Sequence, residues 1–422
     1  MSEGLFPGIL VRPEQRCGAQ RAKLTFRGNI REGRHGWLRL TPAYSLHVVR
    51  EALRDAAPRA RVLDPFSGTG TTALACAEAG FACQALEINP FLVWLGNLKL
   101  HRFAQEDVAD FLRVADDVTA RAGAPSAERA WVPPIHQIEK WWTPPTLATL
   151  GKLLGAIRAA AGLAEPVRDL LKVAFCRALI ELANVSFAHQ SMSFRRLRQH
   201  GDHLLAPAEN SCAAFVRAAR ELAASLGAAL PVHDCRVLPG DSRDVARHVT
   251  RRDFDLVITS PPYPNRMSYI RELRPYMYWL GYLDNGRQAG ELDWRAIGGT
   301  WGCATSLLSD WRPPAGIAVP YRHFADIVSA IGAREPLLGN YVHKYFCDVV
   351  GHVRSLSAVL APGAVCHFII GNSKFYDVLL PAEQVYAAIL ASEGFRRVQV
   401  VPLRKRTSKK ELYEFAVRAE MA

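Results

Sequence analysis

The sequence predicts an α/β protein built on a doubly wound, mostly parallel sheet that is interrupted by a helical lobe. Three observations carry this expectation. Short buried strands alternate with helices between residues 61 and 100, and two of the strands end in a carboxylate, Asp64 and Glu87; that rhythm marks a parallel sheet. From 105 to 230, apolar residues recur at helical spacing, as in Leu147, Leu150, Leu153, Leu154 and Ile157, with almost no strand signal. The strand rhythm returns at 236 and continues to the end.

Element by element, the first 58 residues begin irregular and basic and turn helical over about 42–53. Residues 61–63 read as a short strand ending at Asp64. A Gly-rich turn follows, then a helix over 71–79, a strand over 82–86 ending at Glu87, and a helix over 91–100. After the lobe come strands over 236–238 and 254–259. Residues 263–345 read as irregular and aromatic, with Trp279, Trp294, Trp301 and Trp311. A helix over 349–360, a strand over 364–370 and a helix over 381–392 lead to a terminal antiparallel pair, 395–403 and 412–417. The expected organisation is therefore a first part of the core (1–104), a helical lobe (105–230) and a second part of the core (231–422). The last carries an irregular insertion at about 264–345.

Bulk properties narrow the class. A chain of 422 residues, 49% hydrophobic, can bury a large core. No apolar run is long enough for a bilayer, and the first dozen residues lack a basic-then-apolar leader pattern, so a soluble cytoplasmic protein is expected. The nine cysteines are scattered without CxxC or Cys/His spacing, which argues against structural zinc and a disulfide framework; no metal is expected. The formal charge of +12 suits a polyanionic partner without proving one.

Two motifs carry chemistry. The first, Asp64-Pro65-Phe66-Ser67-Gly68-Thr69-Gly70-Thr71-Thr72, lies between a strand and a helix. Its glycines allow a tight turn and close backbone approach to a ligand facing the helix N-terminus. No Gly-Lys-Ser/Thr follows, so it is not a phosphate loop. Glu87, at the end of the next strand, suits both hydroxyls of a ribose. The second motif is the buried run Asp255-Leu256-Val257-Ile258-Thr259 leading into Ser260-Pro261-Pro262-Tyr263. Two prolines cannot continue a sheet centre; they freeze the backbone with its carbonyls outward. Acceptors at Ser260 and the Pro261 carbonyl, beside an aromatic ring, suit an exocyclic amine on a flipped-out base.

DPFSGTGTT and TSPPY resemble the cofactor and catalytic motifs of the DNA amino-methyltransferases, which modify N4 of cytosine or N6 of adenine. The Ser in Ser-Pro-Pro-Tyr is similar to the N4-cytosine branch. The resemblance covers about 35–100, 236–275 and 345–418, and it implies a Rossmann-like class I methyltransferase sheet and S-adenosylmethionine as cofactor. Asp64, Phe66, Ser67, Gly68, Gly70, Thr71 and Glu87 match its cofactor site. Asp241 and Ser242 match the position that meets the cofactor adenine. Residues 34–42, with Trp37 and Thr41, look like a degenerate form of the motif at the methionine end. Ser260, Pro261, Pro262 and Tyr263 match the catalytic motif. The cofactor motif comes first in this chain, a permuted order relative to many members, so the recognition region cannot be carried over.

The substrate implied is double-stranded DNA, with a separately acting restriction endonuclease as a compatible partner, in a monomer or homodimer active at the prokaryotic nucleoid. Basic stretches that could meet DNA are Arg195, Arg196 and Arg198; Arg266 and Arg271, just after the catalytic motif; and Arg404, Lys405 and Arg406, read as a turn between the last strands. Rival readings are an N6-adenine enzyme, an RNA base methyltransferase and a silent DNA-binding relative.

Overall fold

A computed structural model describes residues 10–11, 24–25, 27–38, 44–124, 130–186, 193–194, 207–227, 230–231, 234–265, 268–300, 302–406 and 411–422. Seven strands form the body of one mixed sheet: β1 (Arg61–Asp64), β2 (Ala82–Glu87), β3 (Cys235–Pro239), β4 (Phe254–Thr259), β5 (Leu360–Gly371), β6 (Phe395–Lys405) and β7 (Tyr413–Met421). Their spatial order is 3-2-1-4-5-7-6, with a two-residue strand, Leu10–Val11, added parallel to β6 at the edge. Strands β1 to β5 run parallel, and β7 is antiparallel to both neighbours. This is the expected Rossmann-like, mostly parallel sheet, and the terminal antiparallel pair is present with its hairpin wedged beside β5.

Alternation of side chains explains why both faces are covered. Val62, Leu256, Ile258, Ile369 and Ala416 join one buried cluster with the helices α1 (Leu46–Arg54) and α2 (Thr71–Ala79). Their neighbours in sequence, Leu63, Val257, Phe368, Ile370 and Val417, join another with the helices Pro336–Ser357 and Ala382–Ser392. Helix α3 (Pro90–Leu100) starts at Asn89, whose side chain accepts the Phe91 N–H, with Pro90 at a position that needs no donor. It is apolar nearly all round because it is shared between the sheet and the lobe: Phe91, Leu95 and Leu98 pack into the lobe cluster.

The lobe holds helices Gln105–Gly123, Pro144–Ala159, Glu165–Glu181 and Pro207–Ser225. The stretch read as irregular, 264–345, is instead largely helical: Tyr269–Leu280, Gly286–Arg295, Cys303–Asp310 and Phe324–Gly332 precede the long helix from Pro336. Pro275 inside the first of these, Gly281 at its C-terminus and Gly302 at the start of Cys303–Asp310 hide the helical period from a sequence reading. Packing overrides them. Trp279 is fully buried against Trp142 and Phe175 of the lobe, so this helix belongs to the lobe's core. No helix among the described residues is long and apolar enough to cross a membrane, and no cluster of metal-ligating side chains is found among them.

Candidate active site at the carboxyl edge of the sheet

The strand order reverses between β1 and β4, and ligands of open α/β sheets bind outside the carboxyl ends at such a point. Both motifs sit there. They touch directly: Thr259 Oγ1, one residue before Ser260, donates to Asp64 Oδ1 at 2.6 Å.

The turn after β1 is held by its own local hydrogen bonds. Phe66 N–H donates to Asp64 Oδ1 at 3.0 Å, and Gly70 N–H to the Ser67 carbonyl at 2.9 Å. Gly70 begins helix α2 in the left-handed region, at φ 78°, and a Cβ there would stand 3.2 Å from the Gly96 Cα of α3. Both facts demand glycine. Thr71 follows as the first residue of α2.

Glu87 reaches back to this turn. Its carboxylate accepts the Gly68 N–H on one oxygen and the Asn89 N–H on the other, each at 2.9 Å. One amide per oxygen leaves a lone pair on each, the arrangement needed to receive two vicinal hydroxyls. Burial lifts its pKa to about 7 against the pull of those amides, with the nearby Asp64 adding to the rise. Asp64 is fully buried, and burial raises it to about 6 despite its bonds from Thr259 and Phe66.

Three buried polar atoms around the turn have no hydrogen-bond partner among the described residues: Asp64 Oδ2, Ser67 Oγ and His352 Nε2. Native interiors seldom leave such atoms unpaired. His352 faces the edge of Phe66 at 4.7 Å between ring centroids, and its Nδ1 lies 2.9 Å from the Ser242 carbonyl. A carbonyl only accepts, so Nδ1 carries the hydrogen and Nε2 is an acceptor. Burial drives the imidazole pKa down to about 4, so it stays neutral. Asp241 is clamped by Arg243, which donates to both carboxylate oxygens at 3.0 and 2.6 Å and also holds Asp348. Burial pushes the Asp241 pKa up, but the Arg243 bonds outweigh it and leave it below the usual range. The free lone pairs of Glu87 and the unpaired polar atoms at the turn offer hydrogen-bonding capacity that fits an adenosyl group.

The catalytic loop is braced by residues far away in sequence. Ser260 Oγ donates to the Ile369 carbonyl of β5 at 3.0 Å. Tyr345 donates its phenol to the Pro262 carbonyl at 2.6 Å, and the Tyr263 N–H donates to the Tyr269 oxygen at 3.2 Å. The Pro261 carbonyl accepts none of the hydrogen bonds found among the described residues. The Tyr263 phenol donates to Glu414 Oε1 at 2.7 Å, Arg406 stands over its ring at 5.0 Å, and a Cβ on Gly371 would strike that ring at 2.7 Å. Only glycine lets the β5 backbone come this close. We expect Tyr345→Phe to unfold about 1–3 kcal/mol more easily in denaturant titration, because the Pro262 carbonyl would lose its buried donor. Full stability would show that water reaches that carbonyl.

Trp37 is 1% exposed and packs in the lobe cluster with its indole N–H donating to Ser225 at 2.8 Å, so it anchors the N-terminal segment to the lobe. Arg404 and Lys405 are the end of β6, not a turn. Arg404 pairs across the strands with Glu414 at 2.7 Å, and Arg406 donates to the Asn372 carbonyl at 2.8 Å. The strand runs on through both charges, with Arg404 opposite Glu414 and Lys405 opposite Tyr413. Arg271 is exposed at the start of helix Tyr269–Leu280. Thr41, Arg195, Arg196, Arg198 and Arg266 lie outside the described residues. Sequence reasoning missed Tyr269, Tyr345, His352, Arg243 and Glu414. Only Glu414, an isolated acid in an apolar strand pattern, left a signal.

No family model matches this chain. It is similar to the Type II methyltransferase M.AvaI of Nostoc sp. and of Anabaena variabilis. Each is 20% identical over 439 aligned positions, covering 92% of this chain and 85% of the relative. Among solved structures, TrmN from Thermus thermophilus aligns over 94% of this chain and 52% of its own, at 12% identity and a TM-score of 0.29. The rRNA methyltransferase aviRa from Streptomyces viridochromogenes aligns over 90% and 86%, at 14% identity and a TM-score of 0.27.

Proposed function

We propose that this chain is an S-adenosylmethionine-dependent methyltransferase that acts on the exocyclic N4 amine of cytosine flipped out of double-stranded DNA. The observation that carries this is the contact between the two motifs. A turn suited to an adenosyl group and a loop suited to an aromatic amine are joined through Thr259 and Asp64 at 2.6 Å. The similarity to a Type II methyltransferase along 92% of the chain supports methyl transfer.

The bound cofactor supplies an electrophilic methyl group on a sulfonium. The chain's own residues prepare the amine. N4 of cytosine is a weak nucleophile because its lone pair is delocalised into the ring. Ser260 spends its hydroxyl hydrogen on Ile369, so what its oxygen has left to offer an amine is an acceptor. The Pro261 carbonyl, on a backbone held by Tyr345 and Tyr269, is the second acceptor. Two acceptors on the amine hydrogens favour a tetrahedral nitrogen with a localised lone pair and stabilise the positive charge that develops on it. A rigid loop makes this positioning effective. Tyr263 borders the pocket with its phenol tied to Glu414, and the guanidinium of Arg406 over its ring adds a second flat surface for a base.

The test is to methylate DNA with labelled cofactor, digest it and separate the nucleosides. Label in N4-methylcytosine is expected. Label in N6-methyladenine would replace the base and keep the mechanism. Label in 5-methylcytosine, or only in RNA offered in parallel, would overturn the assignment.

A further inference from the structure

We propose that Lys99 seats the carboxylate of the cofactor's methionine moiety. The inference rests on the cofactor assignment above and adds a residue to it.

Lys99 is the penultimate residue of α3 and is 1% exposed. Its ammonium donates to the Thr69 carbonyl at 2.9 Å, in the middle of the Gly-rich turn. An ammonium has three hydrogens, and this is the one acceptor found for it among the described residues. It forms no ion pair there. Its surroundings are basic. Arg34, also buried, donates to the Lys99 carbonyl at 2.9 Å, and the buried His35 lies close enough to feel the lysine's charge. The acid of this corner, Glu78, is already shared between His35 at 3.4 Å and Arg50 at 3.3 Å. Burial lowers the Lys99 pKa to about 7.

A buried cation without a counter-ion is costly, and an entering anion relieves that cost. The turn also gives direction. Glu87, the ribose acceptor, bonds to Gly68, and Lys99 bonds to the next residue, Thr69. The acid and the cation therefore hold consecutive residues of one turn, which suits a ligand with a ribose and a remote carboxylate.

Calorimetry on the full chain tests this with two ligands that differ only in the carboxylate, S-adenosylmethionine and its decarboxylated analogue. The wild type is expected to bind the first at least about tenfold more tightly. Lys99→Met should erase that preference by weakening S-adenosylmethionine alone, and Lys99→Arg should keep it. Equal affinities in the wild type would overturn the proposal even if the Met variant fails to fold. Equal losses for both ligands in a folded Lys99→Met protein would also overturn it, showing a lysine that only props the turn. A wild type that binds neither ligand would remove the cofactor assignment itself.

Discussion

Ser260→Ala is expected to lower turnover by about a hundredfold or more, the cost of losing one preorganised partner of a developing charge, while leaving cofactor affinity unchanged. The reason is the direction of its hydrogen bond. Ser260 donates to Ile369, so what it offers the pocket is an acceptor. Alanine removes that acceptor and leaves the loop braced by Tyr345 and Tyr269. Single-turnover kinetics, with cofactor binding measured separately, distinguish the outcomes. Full turnover would mean that the Pro261 carbonyl suffices. Parallel loss of binding and turnover would mean that the serine shapes the cofactor turn through its neighbour Thr259.

Glu87→Ala is expected to weaken S-adenosylmethionine binding by about 1–3 kcal/mol, the range for stranding hydrogen-bonding groups. Glu87→Gln should fall between, since an amide offers one acceptor oxygen. The wild type should also show a pH signature. Ribose hydroxyls need the ionised carboxylate as a double acceptor, and the pKa of Glu87 is raised to about 7 in the free protein. Affinity for the decarboxylated analogue, which does not call on Lys99, should therefore be full above that pH and fall as pH drops through it. Binding of the decarboxylated analogue near neutrality should release protons, because the bound state favours the ionised Glu87 and this ligand brings no carboxylate to recharge Lys99, whose pKa is also about 7. Calorimetry in buffers of different ionisation enthalpy reads this directly. Proton uptake in place of release, or affinity flat from pH 6 to 8.5 in a protein that binds, would take Glu87 out of the ribose site.

The function rests on features of unequal legibility. The first turn was readable because its chemistry is local. Gly68 and Gly70 permit the turn, Thr71 opens a helix, and apolar residues at short range set strand and helix periods. The same holds for β4 running into Pro261 and Pro262, where missing N–H groups end the ladder. The lobe was readable for the same reason, as its apolar spacing persists over many turns. The region from 269 to 332 was not. Its helices are short, one contains Pro275, and what stabilises them is contact with distant elements, such as Trp279 against Trp142.

By itself, the sequence determined the order of strands and helices around the two motifs, the residue types in each, and the carboxylate at the end of β2. Such features depend on neighbours within one helical turn or one strand, where backbone sterics and side-chain period act. Tertiary structure decided which of those groups have hydrogen-bonding capacity to spare. Tyr345 takes the Pro262 carbonyl from 83 residues away, Glu414 holds Tyr263 from 151, and Lys99 reaches Thr69 from 30. It also turned Arg404 and Arg406 from a presumed DNA-facing turn toward Glu414 and Asn372. Partners so far apart in the chain meet only when the sheet orders its strands 3-2-1-4-5-7-6, and no local pattern encodes the distance between them.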